Sequence, residues 1–336
     1  MIDDDGDRPE PADRDDERQD PATGPNTPSG ERSSFEQPPA VMRRRRPVLM
    51  AIGGLVAVAV ILAVVALATR TSSGPAASTV SVATSELPPA AAEADGAPVV
   101  APRPVSDSEL ATLPQATTFG EAPNAPRDPA PDQAPSGKVV HPNAAVPVFA
   151  SPGGDPVAVV PAQQPIGIAP HQTLSDTWLP IVAEQPGWAL VGLPLRPNGS
   201  VAWMYVEDPA VTVSSTPSVI TVDRGKFELT LTTDGAEVGR WTVGTGKPSS
   251  VTPAGRTFLL AAIREAKPTF SPIVLPLGAH SDTYESYGGG PGTVGVHTWP
   301  TADVYGKPSS DGCIRVPPEA LQVLTKVPLG TAVLIK

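Results

Sequence analysis

The chain has 336 residues, including 44 Pro, 30 Gly and one Cys, and a formal net charge of -11. This Pro and Gly content is close to the level at which low-complexity segments are expected. It favours one or two modest domains plus unstructured chain over one well-packed domain of the whole length. One Cys also excludes an intrachain disulfide framework and the common Cys-rich zinc sites. The single thiol is therefore either an inert buried group or a reactive one.

The N-terminal segment holds most of the negative charge. Residues 1–42 carry twelve Asp and Glu against four Arg, with several Pro and one aromatic residue, Phe35. Such a stretch cannot bury enough apolar surface to offset its ordering entropy, which predicts a disordered acidic tail over 1–46. The remaining chain sums to only -3. Without a basic domain to neutralise phosphates, nucleic-acid binding is disfavoured.

An uncharged apolar run follows four consecutive arginines. Residues 43–46 are all Arg, and 47–69 contain no charged residue. A helix of that length spans roughly 30 Å of hydrocarbon, which predicts a single transmembrane helix. The positive-inside rule then places 1–46 in the cytoplasm and 70–336 outside the membrane. A cleaved signal peptide is the alternative, although both the run and the tail before it are long for one.

The next two segments differ in composition. Residues 70–137 are rich in Pro and Ala without hydrophobic periodicity, which predicts an extended extracytoplasmic linker. Residues 138–210 consist of short Val- and Trp-rich runs broken by turn signals, typical of a small β-barrel. The runs GWALVGLP and VAWMYVED in this segment resemble a bacterial Src-homology-3-like domain. Trp188 and Trp203 either line a ligand groove or belong to the core.

The last part, 217–336, is also mainly β. Alternating runs are joined by Asp234 and Gly235, a strong tight-hairpin signal, and a Thr-Pro-Ala-Gly turn follows at 252–255. A short strand is predicted over 293–297, ending at His297. The apolar spacing over 317–327, with Pro at its start, predicts the one convincing soluble helix, and a strand closes the chain.

The single Cys lies in the run S-D-G-C-I-R, 310–315, between a loop and this helix. A first helical turn offers unpaired N–H groups and the positive end of the dipole, which predicts that Cys313 is an activated nucleophile. The amides of Gly312 and Cys313 are candidate oxyanion donors. With His297, the thiol forms the minimum pair for acyl transfer through a thioester.

The run V-G-V-H, the run S-x-G-C-I-R and the T-P-x-G turn together resemble the YkuD-type L,D-transpeptidase catalytic domain over 217–336. The resemblance implies a β-sandwich with one short helix after the Cys, no metal and no organic cofactor. Cys313 would be the nucleophile and His297 its base. Ser310 would shape the loop, and Arg315 would bind a substrate carboxylate or brace the loop.

Two positions depart from the family pattern, which often has His at 311 and Gly at 298. The carbonyl of Thr298 is expected to orient the imidazole. Asp311 opposes thiolate formation unless it points away or pairs with His297 or Arg315. Tyr284, Tyr287 and the glycines 288–290 predict a substrate-gating loop, in which His280 is expected to be a lid or surface residue.

The resemblance also implies the reaction. Cys313 would attack the carbonyl between the third residue and the terminal D-Ala of a peptidoglycan stem peptide. D-Ala would leave, and the amine of a second stem would take the acyl group to form a cross-link. Carbapenem β-lactams are expected to acylate the same thiol. The alternatives are an L,D-carboxypeptidase that uses water as acceptor and a non-catalytic wall-binding anchor.

Overall fold

The computed structural model describes residues 98–167, 172–264, 269–287 and 290–336. The predicted acidic tail, the apolar segment 47–69 and the first part of the linker lie outside these residues. Among the residues described, no helix is both long and apolar enough to cross a membrane.

Among the described residues, nine strands precede residue 217. They are β1 (Lys138–Pro142), β2 (Val146–Phe149), β3 (Pro156–Val160), β4 (Gln163–Ile166), β5 (Thr173–Asp176), β6 (Leu179–Gln185), β7 (Trp188–Gly192), β8 (Val201–Tyr205) and β9 (Val211–Ser215). Seven of them form an antiparallel sheet in the order β3-β2-β8-β7-β6-β1-β9, while β4 and β5 form a separate hairpin. Among the described pairings, β3 and β9 stand at the two ends of this order, and the predicted small β-barrel stays a prediction. The Src-homology-3-like resemblance stays a prediction.

The indole of Trp188 belongs to the core of this first part. It is 1% exposed, and its ring meets the ring of Phe149 edge-on at 5.4 Å. Its Nε1–H donates to the carbonyl of Val100 at 2.7 Å, so a buried polar atom is satisfied. Of the two roles predicted for this residue, the structure therefore places it in the core. Trp203, opposite Leu190 in the sheet, is only partly buried.

Residues 98–137 are packed against the sheet, which corrects the prediction of an extended linker for this stretch. This stretch contains a one-turn helix, α1 (Asp107–Leu110). Ala116, Ala122 and Ala125 are buried, and the amide of Ala116 donates to the carbonyl of Val159 at 2.8 Å. Small side chains separated by Pro and Gly leave no hydrophobic periodicity, which is why composition alone reads this stretch as a spacer.

Within the described ranges, the second part holds eleven strands, a 3-10 turn and one helix. They are β10 (Ser218–Asp223), β11 (Glu228–Thr233), β12 (Ala236–Thr242), β13 (Thr245–Gly246), β14 (Gly255–Phe258), β15 (Ile263–Arg264), β16 (Ile273–His280), β17 (Thr293–His297), the 3-10 turn Ala302–Val304, β18 (Pro308–Ser310), β19 (Ile314–Arg315), α2 (Pro318–Leu324) and β20 (Ala332–Ile335).

Two mixed sheets face each other across one core in this part. Their orders are β12-β11-β10-β20-β14 and β15-β16-β17-β19, and β13 pairs with β18 at the side. Apolar residues of both sheets and of α2 share the core, among them Ile220, Leu231, Leu275, Val296, Leu321 and Val333. The arrangement is a β-sandwich, as predicted.

The predicted strand 293–297 and the hairpin turn are confirmed. Asp234 and Gly235 have φ of 51° and 75°, the left-handed conformation that a two-residue hairpin turn requires. Strand β16 is not predicted from the sequence, because Pro276 and Gly278 interrupt its apolar run. The register shifts between Pro276 and His280, so the strand accommodates a residue that donates no hydrogen bond.

The two parts share apolar packing. Phe258, Leu260 and Ala261 of the second part lie in the core of the first part. A Cβ at Gly278 would lie 2.6 Å from the ring of Phe258, so glycine at this position permits the contact. The two parts are therefore in direct apolar contact and are not joined by the chain alone.

Candidate active site

Strands β17 and β19 bring the predicted nucleophile and base together. They pair in parallel, with Val296 opposite Ile314 and His297 opposite Arg315. The same register carries Cys313 to the level of Gly295, two residues before His297. Helix α2 begins only at Pro318, so Cys313 lies between β18 and β19 and not in a first helical turn. The predicted helix-dipole activation of the thiol is therefore wrong.

The imidazole of His297 is fixed by its own neighbour. Its Nδ1 lies 2.7 Å from the carbonyl oxygen of Thr298. Because a carbonyl only accepts, Nδ1 carries the hydrogen, and Nε2 of the neutral ring keeps the lone pair that a base needs. The amide of Thr298 donates to Ser271 Oγ at 3.0 Å, and the ring of Phe270 meets the imidazole edge-on at 4.8 Å.

The thiol of Cys313 is in an environment that favours its neutral form. Burial raises its pKa above the ordinary value; a backbone hydrogen bond from Gly295 and the charge of Arg315 lower it, whereas Asp311 raises it. A thiol of this kind is protonated at neutral pH. Its activation therefore depends on a base that takes the proton when the substrate is bound.

Ser310 shapes the loop that presents the thiol, as the resemblance implies. Its Oγ donates to the carbonyl of Cys313 at 2.5 Å and accepts from the amide of Gly312 at 3.1 Å. Gly312 has a φ of 123°, which an L side chain rarely adopts. Because the Gly312 amide is already engaged, it is not an oxyanion donor in this geometry. The amide of Cys313 remains the candidate donor.

Two buried hydroxyl groups support this loop from the segment after β13. Ser250 Oγ donates to the carbonyl of Asp311 at 2.8 Å, and Thr252 Oγ1 donates to the carbonyl of Gly312 at 2.8 Å. Thr252 Oγ1 also accepts from the amide of Gly246 at 2.9 Å. The predicted turn at 252–255 thus begins with a residue that holds the loop 310–313. The sequence marks the turn but not this contact.

The carboxylate of Asp311 pairs with a lysine. Its Oδ1 lies 2.5 Å from Nζ of Lys247 and 3.5 Å from the hydroxyl of Tyr284. The predicted alternatives, pairing with His297 or Arg315, are therefore replaced by a partner that the sequence does not single out. The attraction to Asp311 raises the pKa of Lys247, which keeps this side chain cationic.

Arg315 braces the loop. Its guanidinium carbon lies 3.7 Å from the centre of the Trp299 ring, and its Nη1 donates to the carbonyl of Ser309 at 2.7 Å. Burial lowers the pKa of Arg315, while the negative groups around it act in the opposite direction. Of the two predicted roles, the geometry favours bracing, with Trp299 as a stacking partner that the sequence analysis does not name.

The loop before β17 carries two phenols and begins at a buried histidine. The rings of Tyr284 and Tyr287 are 6.2 Å apart, and Tyr287 is 46% exposed. His280 is fully buried at the end of β16, and its Nε2 lies 2.8 Å from the carbonyl oxygen of Thr118. It is therefore neither a lid nor a surface residue. The glycines 288 and 289 lie outside the described residues, so the gating function stays a prediction.

The arrangement can carry out acyl transfer by a thiol and an imidazole. Within the described ranges, no group of three His, Cys, Asp or Glu side chains is placed to hold a metal ion. The oriented imidazole, the glycine turn and the supported loop are the parts that nucleophilic catalysis by Cys requires.

Comparisons with known proteins agree with this class. Residues 217–335 match the YkuD family, the L,D-transpeptidase catalytic domain. This segment therefore resembles an L,D-transpeptidase catalytic domain, and in the described chain it follows a packed antiparallel sheet. No curated protein matches the chain.

Among solved structures, three L,D-transpeptidases illustrate the range of similarity. One from Mycobacterium tuberculosis is 19% identical with a TM-score of 0.31, covering 42% of this chain and 73% of its own. The catalytic domain from E. faecium is 24% identical with a TM-score of 0.29, covering 35% and 96%. L,D-transpeptidase 3 from Mycobacterium tuberculosis, in complex with a faropenem-derived adduct, is 15% identical with a TM-score of 0.31, covering 42% and 75%. Because these TM-scores are low, the assignment rests on the family match over 217–335.

Proposed function

We propose that this protein is a peptidoglycan L,D-transpeptidase that works through a Cys313 thioester. The observation that supports the proposal is the parallel pairing of β17 with β19, whose register sets Cys313 level with Gly295, two residues before His297, in a segment that matches the family model. The hydrogen bond from Nδ1 of His297 to the carbonyl of Thr298 supports the role of Nε2 as the base.

The proposed reaction uses only the thiol, the imidazole and the two stem peptides. Nε2 of His297 takes the thiol proton as Sγ of Cys313 attacks the carbonyl of the third stem residue. The C–N bond to D-Ala then breaks, and the imidazolium returns the proton to the leaving amine. The side-chain amine of a second stem attacks the thioester, loses its proton to His297, and releases the thiol with the new amide bond formed. Water in place of that amine would give the carboxypeptidase reaction.

The decisive experiment uses the full chain with purified disaccharide-tetrapeptide stems and mass spectrometry of the products. We expect cross-linked dimers and free D-Ala. Tripeptide stems without dimers would identify a carboxypeptidase instead. A Cys313→Ala variant should give neither product. Thr325→Ala, at a partly exposed position at the end of α2, is the matched control that should retain both. Full activity in Cys313→Ala would overturn the enzyme proposal.

Carbapenem β-lactams are proposed as covalent inhibitors of the same thiol. The β-lactam carbonyl would take the place of the stem carbonyl, and opening of the ring would leave an acyl group on Sγ. Intact-mass measurement after incubation should show one added inhibitor on the wild type and none on Cys313→Ala. An unmodified wild type would favour the non-catalytic anchor.

The site of action is proposed to be the outer face of the cell membrane. The apolar run 47–69 after four arginines supports a single-pass anchor with its N-terminus in the cytoplasm. Protease added to intact cells should then cleave the chain between residues 70 and 336. Complete protection of the chain, with cleavage after lysis, would overturn this orientation.

A further inference from the structure

One guanidinium group from the first part of the chain contacts three carbonyl groups of the catalytic domain. Arg196 lies between β7 and β8. Its Nη1 donates to the carbonyl of Ser281 at 3.2 Å, and its Nη2 donates to the carbonyls of Tyr284 at 3.1 Å and Pro291 at 3.0 Å. These acceptors span residues 281–287 and 290–292, which we call the tyrosine segment. One side chain thus holds both ends of this segment.

A neighbouring residue fixes the point where the segment begins. Asn198 Nδ2 donates to the carbonyl of His280 at 2.7 Å, and Asn198 Oδ1 accepts from the amide of His280 at 2.8 Å. The same Nδ2 also reaches Oδ1 of Asp282 at 3.1 Å. The turn between β7 and β8 therefore contacts the catalytic domain through two side chains that both bind main-chain groups.

The segment is built to admit the guanidinium. Gly292 has a φ of 70°, and a Cβ there would lie 2.4 Å from the carbonyl oxygen of Tyr284 and 3.2 Å from Nη2 of Arg196. Any larger residue would displace the contact and strain the backbone. The contact of Arg196 with this segment therefore requires glycine at position 292.

The tyrosine segment also contacts the loop 310–313, which carries Cys313. The hydroxyl of Tyr284 lies 3.5 Å from Oδ1 of Asp311, two residues before Cys313. The ring of Tyr287 lies 6.2 Å from that of Tyr284, so the second phenol is next to the one that reaches Asp311. A chain of direct contacts thus joins Arg196 to the loop that carries the thiol.

We propose that Arg196 is a positioning residue of the catalytic site, holding Tyr284 and Tyr287 in place as one wall of the donor-stem site. This inference rests on the proposed function. It makes the first part of the chain a component of the active site, although that part supplies no group to the chemistry. Because Arg196 touches neither Cys313 nor His297 in the described contacts, its loss should affect substrate binding more than the intrinsic reactivity of the thiol.

The test compares Arg196→Ala, Arg196→Lys and Gly292→Ala in the full chain. We expect Arg196→Ala to raise KM for the tetrapeptide donor about tenfold while kcat changes less than about threefold. Gly292→Ala should behave similarly. Arg196→Lys should fall between, since one ammonium group cannot reach three separate carbonyls. The rate of iodoacetamide labelling of Cys313 should stay within about twofold of wild type in all three variants.

Arg127→Ala is the matched control. Arg127 lies at the same turn, where its Nη1 donates to the carbonyl of Asn198 at 2.5 Å, and no described contact joins it to the tyrosine segment. Its KM should match that of the wild type. Thermal unfolding of each variant identifies any that fails to fold, in which case Arg196→Lys serves as the milder probe.

A second readout separates failure of this inference from failure of the proposed function. The amides of Tyr287 and Gly290 each donate to the other's carbonyl at 3.0 Å, so hydrogen exchange of this segment reports on its order. Exchange there should be about tenfold faster in Arg196→Ala than in wild type. Unchanged exchange with unchanged KM would overturn the inference. A wild type without any turnover would overturn the proposed function, and the exchange result would still decide whether Arg196 holds the segment.

Discussion

Nζ of Lys247 lies 2.5 Å from Oδ1 of Asp311, so the carboxylate next to the Gly312–Cys313 pair has a cationic partner from the segment after β13. Both side chains are partly exposed, which limits the strength of the pair. Its importance lies in its position. Asp311 is one of the groups that raise the pKa of the Cys313 thiol, and Lys247 offsets that negative charge.

Removing Lys247 and removing Asp311 should change the reactivity of the Cys313 thiol in opposite directions. Lys247→Met leaves Asp311 uncompensated, so we expect iodoacetamide labelling of Cys313 at pH 7.5 to slow by about two- to fivefold. Asp311→Asn should accelerate labelling by a similar factor. The double variant loses one charge of each sign, so its labelling rate should lie between those of the two single variants. Equal rates in all four proteins would show that Asp311 does not act on the thiol.

Burial of the thiol gives a second prediction, which concerns its pH dependence. The chain has one Cys, so alkylation reports on this site without ambiguity. Burial raises the pKa of Cys313 in the folded protein, and the thiolate is the reactive form. The labelling rate of the native protein should therefore still be rising with pH where that of the urea-unfolded chain has levelled off. A native midpoint at or below the unfolded one would contradict this reading of the site.

Local signals in the sequence predict much of this fold. The Asp234–Gly235 turn, the strand that ends at His297 and the helix near the C-terminus are all set by neighbouring residues. The Cys and His runs identify the two groups that β17 and β19 bring together. Each of these features depends on residues close in the chain, where periodicity and turn chemistry act directly.

The parts that the sequence does not predict depend on contacts between distant residues. Thr252 supports Gly312, and Asp128 pairs with Arg256, across separations that leave no periodic signal. From the sequence alone, a carboxylate such as that of Asp128 in a Pro- and Ala-rich stretch is expected to be solvated, because nothing nearby in the chain indicates its partner Arg256. The same holds for His280, whose burial depends on the packing of residues 98–137, which composition alone reads as a linker.

The buried ion pair between Asp128 and Arg256 predicts that this stretch is essential for stability. The two side chains lie 2.5 Å apart and are 5% and 3% exposed, and Nη1 of Arg256 donates to the carbonyl of Gln133. Asp128→Ala leaves a buried guanidinium without its counter-charge, which should lower the free energy of unfolding by about 3–5 kcal/mol. Urea unfolding of the full chain measures this change.

Two further variants make that measurement specific. Asp132→Ala removes an exposed carboxylate from the same stretch and should change stability by less than about 0.5 kcal/mol. Asp128→Leu combined with Arg256→Met removes both charges and should cost less than Asp128→Ala. If Asp128→Ala unfolds at the same urea concentration as the Asp132→Ala control, the stretch does not hold the two parts together.

The buried imidazole of His280 makes the stability of the protein fall in mild acid. Its pKa is lowered from 6.5 to about 4, mainly by burial. The charge of Arg196 also lowers it, and the hydrogen bond with Thr118 acts in the opposite direction. Below pH 6.5 the unfolded chain binds a proton at this residue that the folded protein does not, so unfolding is favoured as the pH decreases towards 4. Between pH 7 and pH 5 this residue should remove about 2 kcal/mol of stability. His280→Gln keeps a donor for the Thr118 carbonyl and does not titrate, so its unfolding free energy should vary less with pH by that amount. The other histidines are present in both proteins, so the difference between the two urea-unfolding curves across this range isolates His280. Parallel pH profiles would mean that the imidazole is accessible to protons in the folded state.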